Sequence, residues 1–232
     1  MAFNAQGLLN QFLGAGQAAG RNQGGRSRQG GLGGLVSGLA GGRGMGGLGG
    51  GAAAGALGML LGSRRGRRMG GGLLRTGGAA ALGMLAYRAY TEWQGRQGEA
   101  GEARTLDRVS GDEAEAQSRA VLTAVVAAAK ADGHIDEQEH AAIDAELDKL
   151  GDDPEAQNWL RRQIARPLDA AEVAAAADSD VVAAEMYLAS RMVIDTENDR
   201  ERAYLDDLAR QLRLDPDLRA RLDREAEQAT RH

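Results

Sequence analysis

The chain has 232 residues and no cysteine, and its charge is divided unequally along its length. Residues 1–111 carry 13 arginines against 4 acidic residues, a net charge of +9, whereas the remaining residues carry a net charge of −14. The absence of cysteine excludes disulfides, thiolate zinc sites and cysteine nucleophiles, and the charge division favours a basic arm that meets an anionic surface, either lipid or nucleic acid.

The first 13 residues place their apolar side chains on one face of a short helix. They contain no basic segment followed by an apolar run, so they are not predicted to be a secretory signal peptide. Two interpretations stay open: this face packs onto the folded protein, or it makes a weak contact with a membrane or a partner. Residues 14–43 are rich in glycine, arginine and glutamine, so region 1–43 is predicted to be flexible. The apolar positions are Phe3, Leu8, Leu9, Phe12 and Leu13.

Residues 44–93 are predicted to form one or two membrane-associated helices. The stretch Gly44–Ser63 has no charge and is long enough to cross a bilayer, and Thr76–Tyr87 is a second, shorter uncharged stretch. Glycine recurs at every fourth position in two successive runs, which lets helix backbones approach closely and suggests a glycine zipper that drives homo-oligomer formation. The glycines at this spacing are Gly47, Gly51, Gly55, Gly58 and Gly62.

Arginines and aromatic residues flank these stretches in the order expected at a membrane surface. The arginines would meet anionic headgroups and the aromatic rings would form an interfacial belt. These residues are Arg64, Arg65, Arg67, Arg68, Tyr87, Tyr90 and Trp93. The alternative is a nucleic-acid-binding arm, but such arms use aromatic residues for base stacking and residues 14–86 contain none. Lipid is therefore the favoured partner.

After a linker at 94–113, residues 114–230 show apolar positions at helical spacing and no sustained alternation. This pattern predicts an all-α bundle of about seven helices. Asp153-Pro154 and Asp215-Pro216 are typical helix starts, Asp180 is predicted to cap a further helix, and Pro167 ends one. The predicted apolar faces contain Val121–Val126, Ile143–Leu150, Trp159–Ile164, Val181–Val193, Tyr204–Leu212 and Leu218–Leu222.

Two helix–loop–helix units in this bundle resemble each other and carry acidic loops. In each, an apolar helix runs into two aspartates four residues apart, and a further acidic residue follows. The first loop matches the second half of an EF-hand loop, but Lys130 stands where Ca²⁺ would need an oxygen ligand. Either Gly133 only turns the chain and the acids cap the next helix, or the two loops share a divalent cation, Ca²⁺ or Mg²⁺. The candidate ligands are Asp132, Asp136, Glu139, Asp195 and Glu201.

Catalytic motifs are not found. The three histidines match no metalloenzyme spacing, and the chain contains neither a GxSxG motif nor a phosphate-binding loop. We therefore expect a non-enzymatic protein without a small-molecule substrate.

The segments GSRRGRR at 62–68, ADGHIDEQE at 131–139 and ERAYL at 201–205 resemble the YebE-type inner-membrane family of unknown function. The C-terminal part of that family is similar to the TerB-like, tellurite-resistance helical domain, and the likeness covers residues 44–225. The resemblance implies a bacterial inner-membrane protein, integral or tightly peripheral, with metal binding by acidic residues and a role in stress responses. In the second loop Thr196 stands where the first has glycine, which departs from a symmetric pair.

These observations predict a membrane-associated interaction or sensor protein whose acidic domain binds a divalent metal or a basic partner. A scaffold that self-associates through glycine-striped helices is the runner-up, and a nucleic-acid-binding arm is the third hypothesis.

Overall fold

The computed structural model describes residues 3–10, 78–98, 101–133, 153–194 and 198–230. Every regular element within these ranges is a helix, which confirms the all-α prediction. The helices are α1 at 5–10, α2 at Gly78–Gln97, α3 at Gly111–Ala129, α4 at Pro154–Ala165, α5 at Ala170–Ala174, α6 at Asp180–Val193, α7 at Asp199–Gln211 and α8 at Pro216–Thr230.

Local capping chemistry explains where several helices begin. The Asp153 carboxylate accepts a hydrogen bond from the Ala156 amide at 2.9 Å, and Pro154 follows as the first helical residue, as predicted. Asp215 accepts from the amides of α8 in the same way. The prediction that Asp180 caps α6 is wrong by one residue. Ser179 has the extended backbone of a cap and accepts from the Val182 amide at 3.3 Å.

Helix α6 lies at the centre of the core. Its residues from Val182 to Ser190 are all buried, and it packs against α2, α3, α7 and α8. A helix that is buried on all sides cannot show a single apolar stripe, which is why its sequence is almost continuously apolar. The predicted helices around Val125, Leu208 and Leu222 pack against it, and the helix around Leu160 packs against α3. All four side chains lie in the same core.

The core also extends N-terminal of the predicted domain boundary at residue 114. Helix α2 packs against α6 and α8, and its small and apolar side chains on that face, such as Leu82 and Ala86, are fully buried. Two ion pairs join α2 to α8: Arg88 with Glu225 at 3.2 Å, and Glu92 with Arg221 at 2.7 Å.

Residues on both sides of the predicted boundary at residue 114 therefore contribute to one core. Most small and apolar side chains of residues 78–93 are buried or partly buried against the bundle, whereas Met84 is 52% exposed. The predicted linker at 94–113 also contributes to the core, since Thr105, Leu106 and Val109 are buried. The predicted helix at Ile143–Leu150 lies outside the described residues.

The N-terminal segment packs onto the bundle, which confirms the first of its two interpretations. The Phe3 ring lies 5.1 Å from the Trp159 ring of α4, and Leu9 is fully buried. Glu115 of α3 accepts hydrogen bonds from the amides of Ala5 and Gln6, the latter at 3.1 Å. A carboxylate at the amino end of α1 satisfies its free amides and complements its dipole. Phe12 and Leu13 lie outside the described residues.

Gly83 allows a close approach between α2 and the turn that follows it. A Cβ atom at this position would lie 2.7 Å from both the backbone nitrogen and the Oδ1 atom of Asp107. Gly95 in the same helix has open space at the corresponding place. One glycine of α2 is thus required by packing and the other is not.

We predict that Gly83→Ala destabilises the protein and that Gly95→Ala does not. The added methyl group at residue 83 has to displace the backbone of Asp107, and overpacking of this kind costs about 1–3 kcal/mol. The same change at residue 95 removes the entropic disadvantage of helical glycine, with a gain of up to about 1 kcal/mol. Urea unfolding of both variants measures the difference. Equal stability of the two variants would contradict the close contact at Gly83.

Candidate functional site

The first acidic loop begins where α3 ends. Gly133 has a φ of +80°, a conformation that favours glycine, so the chain turns here as predicted. The Lys130 ammonium donates to the carbonyl oxygens of Gln163, at 3.0 Å, and Arg166. These carbonyls belong to the last turn of α4 and the residue after it, so Lys130 stabilises a helix carboxyl end. Burial lowers the pKa of Lys130 from its ordinary value of 10.5.

This contact explains why the loop departs from an EF-hand. Lys130 stands at a position that would supply an oxygen ligand, and its side chain instead joins α3 to α4. Replacing it with an acid would remove that link. The sequence showed the departure, but it did not reveal what the lysine contacts.

The second acidic loop ends at the start of α7, where Asn198 is the cap. Its Oδ1 atom accepts from the Arg200 amide at 3.0 Å, and its Nδ2 atom donates to Glu201 Oε1 at 2.9 Å. Glu201 is only 8% exposed. The pair therefore resembles a capping box, in which the third helical residue reaches back to the cap. One carboxylate oxygen of this candidate metal ligand is thus already engaged within the protein.

The structure brings the two loops together. The Arg200 Nη1 atom donates to the Asp132 carbonyl oxygen at 3.3 Å, and a Cβ on Gly133 would lie 3.2 Å from the same Nη1 atom. A guanidinium group from the start of α7 thus lies beside the first loop. Sequence analysis missed Arg200, because only its position directly before Glu201 hinted at a role.

The remaining candidate ligands, Asp136, Glu139 and Asp195, lie outside the described residues. Within the described parts of the chain, no three His, Asp or Glu side chains are grouped so as to hold a metal ion. The predicted glycine stripe from Gly47 to Gly62 and the arginines from Arg64 to Arg68 also lie outside the described residues.

The aromatic residues that were predicted to form a membrane belt are described, and they pack into the bundle. Tyr90 is buried in the core, and its ring lies 5.4 Å from that of the half-buried Trp93. The Arg108 guanidinium lies 3.7 Å from the centre of the Tyr87 ring. Tyr90 thus contacts protein on the described side of the helix, where the bundle covers it. None of the described helices combines the length and the apolar content needed to cross a membrane.

Glu185 is a fully buried acid in the middle of α6. Its Oε1 atom accepts from the Leu106 amide at 2.6 Å, and its Oε2 atom has no hydrogen-bond partner. Burial raises the pKa of Glu185 to about 8; the Leu106 hydrogen bond opposes this shift, and the nearby Asp107 charge adds to it. At neutral pH the side chain is therefore mostly a neutral carboxylic acid. Its position within the apolar segment 181–188 was the signal that sequence analysis overlooked.

We predict that Glu185 makes the stability of the protein depend on pH. The unfolded carboxyl ionises near pH 4.5, whereas the folded one retains its proton up to about pH 8. Its contribution is therefore fully present below pH 4.5 and is lost as the pH rises through 8, by up to about 1.4 kcal/mol per pH unit. Denaturant unfolding between pH 5 and pH 8 should show Glu185→Gln becoming progressively more stable relative to the unmodified protein.

The matched control is Glu102→Gln, which removes an exposed acid from the segment between α2 and α3. It should leave the pH dependence unchanged. Parallel pH profiles for Glu185→Gln and the unmodified protein would show that the buried carboxyl does not retain its proton.

A second polar network joins α6 to α7 and α8. The Tyr187 hydroxyl donates to Asp223 Oδ1 at 2.9 Å and accepts from Arg219 Nε at 3.0 Å, and Arg219 also pairs with Asp206. Arg191 contacts Asp223 at 3.4 Å. Burial, with the Asp223 charge, raises the pKa of Tyr187, so the hydroxyl stays protonated and can keep donating. This network fixes the packing of three helices.

Comparison with known proteins identifies the family of this chain. Residues 46–226 match the family described as "Protein of unknown function (DUF533)". A protein of Yersinia enterocolitica, described as "Uncharacterized protein in ampR 5'region", is 31% identical over 99 residues, which cover 43% of this chain and 71% of that protein. No solved structure matches the chain. The chain belongs to the DUF533 family.

Proposed function

We propose that this member of the DUF533 family is a membrane-associated, non-enzymatic interaction or sensor protein. Its basic, glycine-rich half contacts anionic lipid, and its acidic helical bundle presents the paired loops to a divalent cation or a basic partner. The likeness of the GSRRGRR and ERAYL segments to YebE-type proteins, and of the bundle to TerB-like domains, supports the bacterial inner membrane as its location and envelope or metal stress as its context.

The observation that carries the sensor part of the proposal is the meeting of the two loops at Arg200. Asp132 and Glu201 are far apart in sequence, yet Arg200 Nη1 lies 3.3 Å from the Asp132 carbonyl oxygen and Arg200 directly precedes Glu201. Carboxylates of the two loops would repel one another if they lay beside this contact, and a bound cation would relieve the repulsion. Arg200 supplies one such charge from within the protein, and a divalent cation would supply a stronger one.

The residues available suit Ca²⁺ or Mg²⁺ better than softer metals. The chain offers carboxylate and carbonyl oxygens here and has no cysteine. Hard divalent cations take oxygen ligands of this kind. Asp132 and Glu201 would contribute from the described parts of the two loops, together with Asp136, Glu139 and Asp195 from the same loops.

We predict that millimolar Ca²⁺ or Mg²⁺ raises the melting temperature of the full chain. A ligand at about 100 times its dissociation constant stabilises the folded state by about 2.7 kcal/mol. Asp132→Asn combined with Asp136→Asn should abolish the rise, because two carboxylate ligands become neutral. Differential scanning calorimetry with and without each ion measures the effect.

The control variant combines Glu102→Gln with Asp178→Asn, which removes the same charge from exposed positions away from the loops. It should keep the full metal-dependent rise. If Ca²⁺, Mg²⁺ and Zn²⁺ all leave the melting temperature of the unmodified protein unchanged, metal binding is refuted. A basic partner would then be the remaining candidate ligand of the loops.

The lipid part of the proposal rests on the arginine-rich, acid-free sequence before Glu92. Each Lys or Arg held at an anionic membrane surface contributes about 1 kcal/mol. We predict that the full chain sediments with vesicles that contain phosphatidylglycerol and much less with pure phosphatidylcholine vesicles. Changing the arginines of the GSRRGRR segment to glutamine should weaken binding at least tenfold. The positions changed are Arg64, Arg65, Arg67 and Arg68.

An equal number of exposed bundle arginines provides the control for net charge. Their replacement by glutamine should reduce vesicle binding only slightly if the basic half makes the contact. These positions are Arg162, Arg166, Arg213 and Arg224. Equal losses in the two sets, or no preference for anionic vesicles, would contradict the lipid proposal.

A further inference from the structure

The basic, glycine-rich stretch between residues 11 and 77 is flanked on both sides by segments that pack into one core. On its N-terminal side lie Phe3 and α1, and on its C-terminal side lies α2. The side chains of Leu9 and Leu82, one from each flank, are fully buried in the same apolar cluster. Both flanks of the stretch are therefore parts of the same bundle.

The N-terminal attachment is specific in its contacts. Glu115 accepts from two backbone amides at the start of α1, and the Arg119 guanidinium lies 4.6 Å from the centre of the Phe3 ring. The same Phe3 ring lies 5.1 Å from the Trp159 ring. Charge, hydrogen bonding and apolar burial thus all hold α1 against α3 and α4, which are helices of the acidic bundle.

We infer that α1, α2 and the acidic bundle lie on one face of the membrane, and that the chain contacts lipid from that face without a net crossing. This inference rests on the proposed lipid contact of the basic half. A single membrane span within residues 11–77 would put α1 and α2 on opposite faces. They could then not share a core, since the bilayer would separate Leu9 from the bundle.

The same geometry bears on the uncharged stretch that precedes α2. The uncharged stretch Gly44–Ser63, taken alone, allows one span, and the arginines that follow it would then set the orientation of everything after them. Attachment of both flanks to one core makes the number of crossings even, so the acidic bundle stays on the face where α1 is found. The arginines then act as contacts to headgroups on that face.

The chain has no cysteine, so single cysteines can report on each flank without background labelling. Asn10→Cys reports on the end of α1 and Gln97→Cys on the end of α2, and both positions are exposed. Membrane vesicles from bacteria that produce the full-length chain are treated with a membrane-impermeant maleimide before and after permeabilisation. We expect the two cysteines to behave alike, either both labelled at once or both labelled only after permeabilisation.

Ala5→Cys tests the premise that α1 is attached. Residue 5 is fully buried on the bundle, so its thiol should react only after denaturation of the detergent-solubilised protein. Rapid reaction of this thiol in the folded protein would overturn the inference, because α1 would then not share the core with α2.

The outcomes separate this inference from the proposed function. Labelling of one flank in intact vesicles and protection of the other overturns the inference while the protein is still bound to membranes. Recovery of the whole protein in the aqueous fraction after lysis, with no vesicle binding, overturns the proposed lipid contact and this inference with it. Identical labelling of both flanks in membrane-bound protein, together with a protected residue 5, supports both.

Discussion

Helix α6 is enclosed on every side between Val182 and Ser190, so each neighbouring helix has to present a complementary apolar face to it. Burial of each large side chain, such as Met186 and Leu188, contributes roughly 1.5–3 kcal/mol. Removal of any neighbour would expose part of this surface to water. Helix α2 is only weakly apolar itself. It is therefore held in the bundle largely because it buries part of the apolar surface of α6.

The same helix carries the two polar groups that fix its rotation. Glu185 faces the turn after α2 and is satisfied on one oxygen by the Leu106 amide. Tyr187 faces α7 and α8 and exchanges hydrogen bonds with Asp223 and Arg219. A rotated or shifted α6 would leave these groups buried without partners, at a cost of about 1–3 kcal/mol for each. Apolar packing brings the helices together, and these contacts select one arrangement.

Features that depend on neighbouring residues could be predicted from the sequence. Asp153-Pro154 and Asp215-Pro216 open helices because the cap, the proline and the following amides are adjacent in the chain. Ser179, and not Asp180, is the N-cap of α6. Either side chain can cap a helix, and the residue that does so is the one whose backbone is extended. The contacts of Lys130 and Arg200 join distant segments, and no local pattern distinguishes them from exposed basic residues.

Helix α2 shows why the spacing of small residues does not identify what a helix packs against. Small residues that let helices approach closely in lipid also let a helix approach other protein elements, so glycine and alanine spacing does not specify the neighbour. In α2 the neighbour is protein: Ala86 is buried in the bundle core, and Gly83 admits the backbone of Asp107. Whether such a helix packs in lipid or on protein depends on the surface available to its small residues. A continuously apolar helix such as α6 needs several flat partners, and the small residues of α2 meet that need.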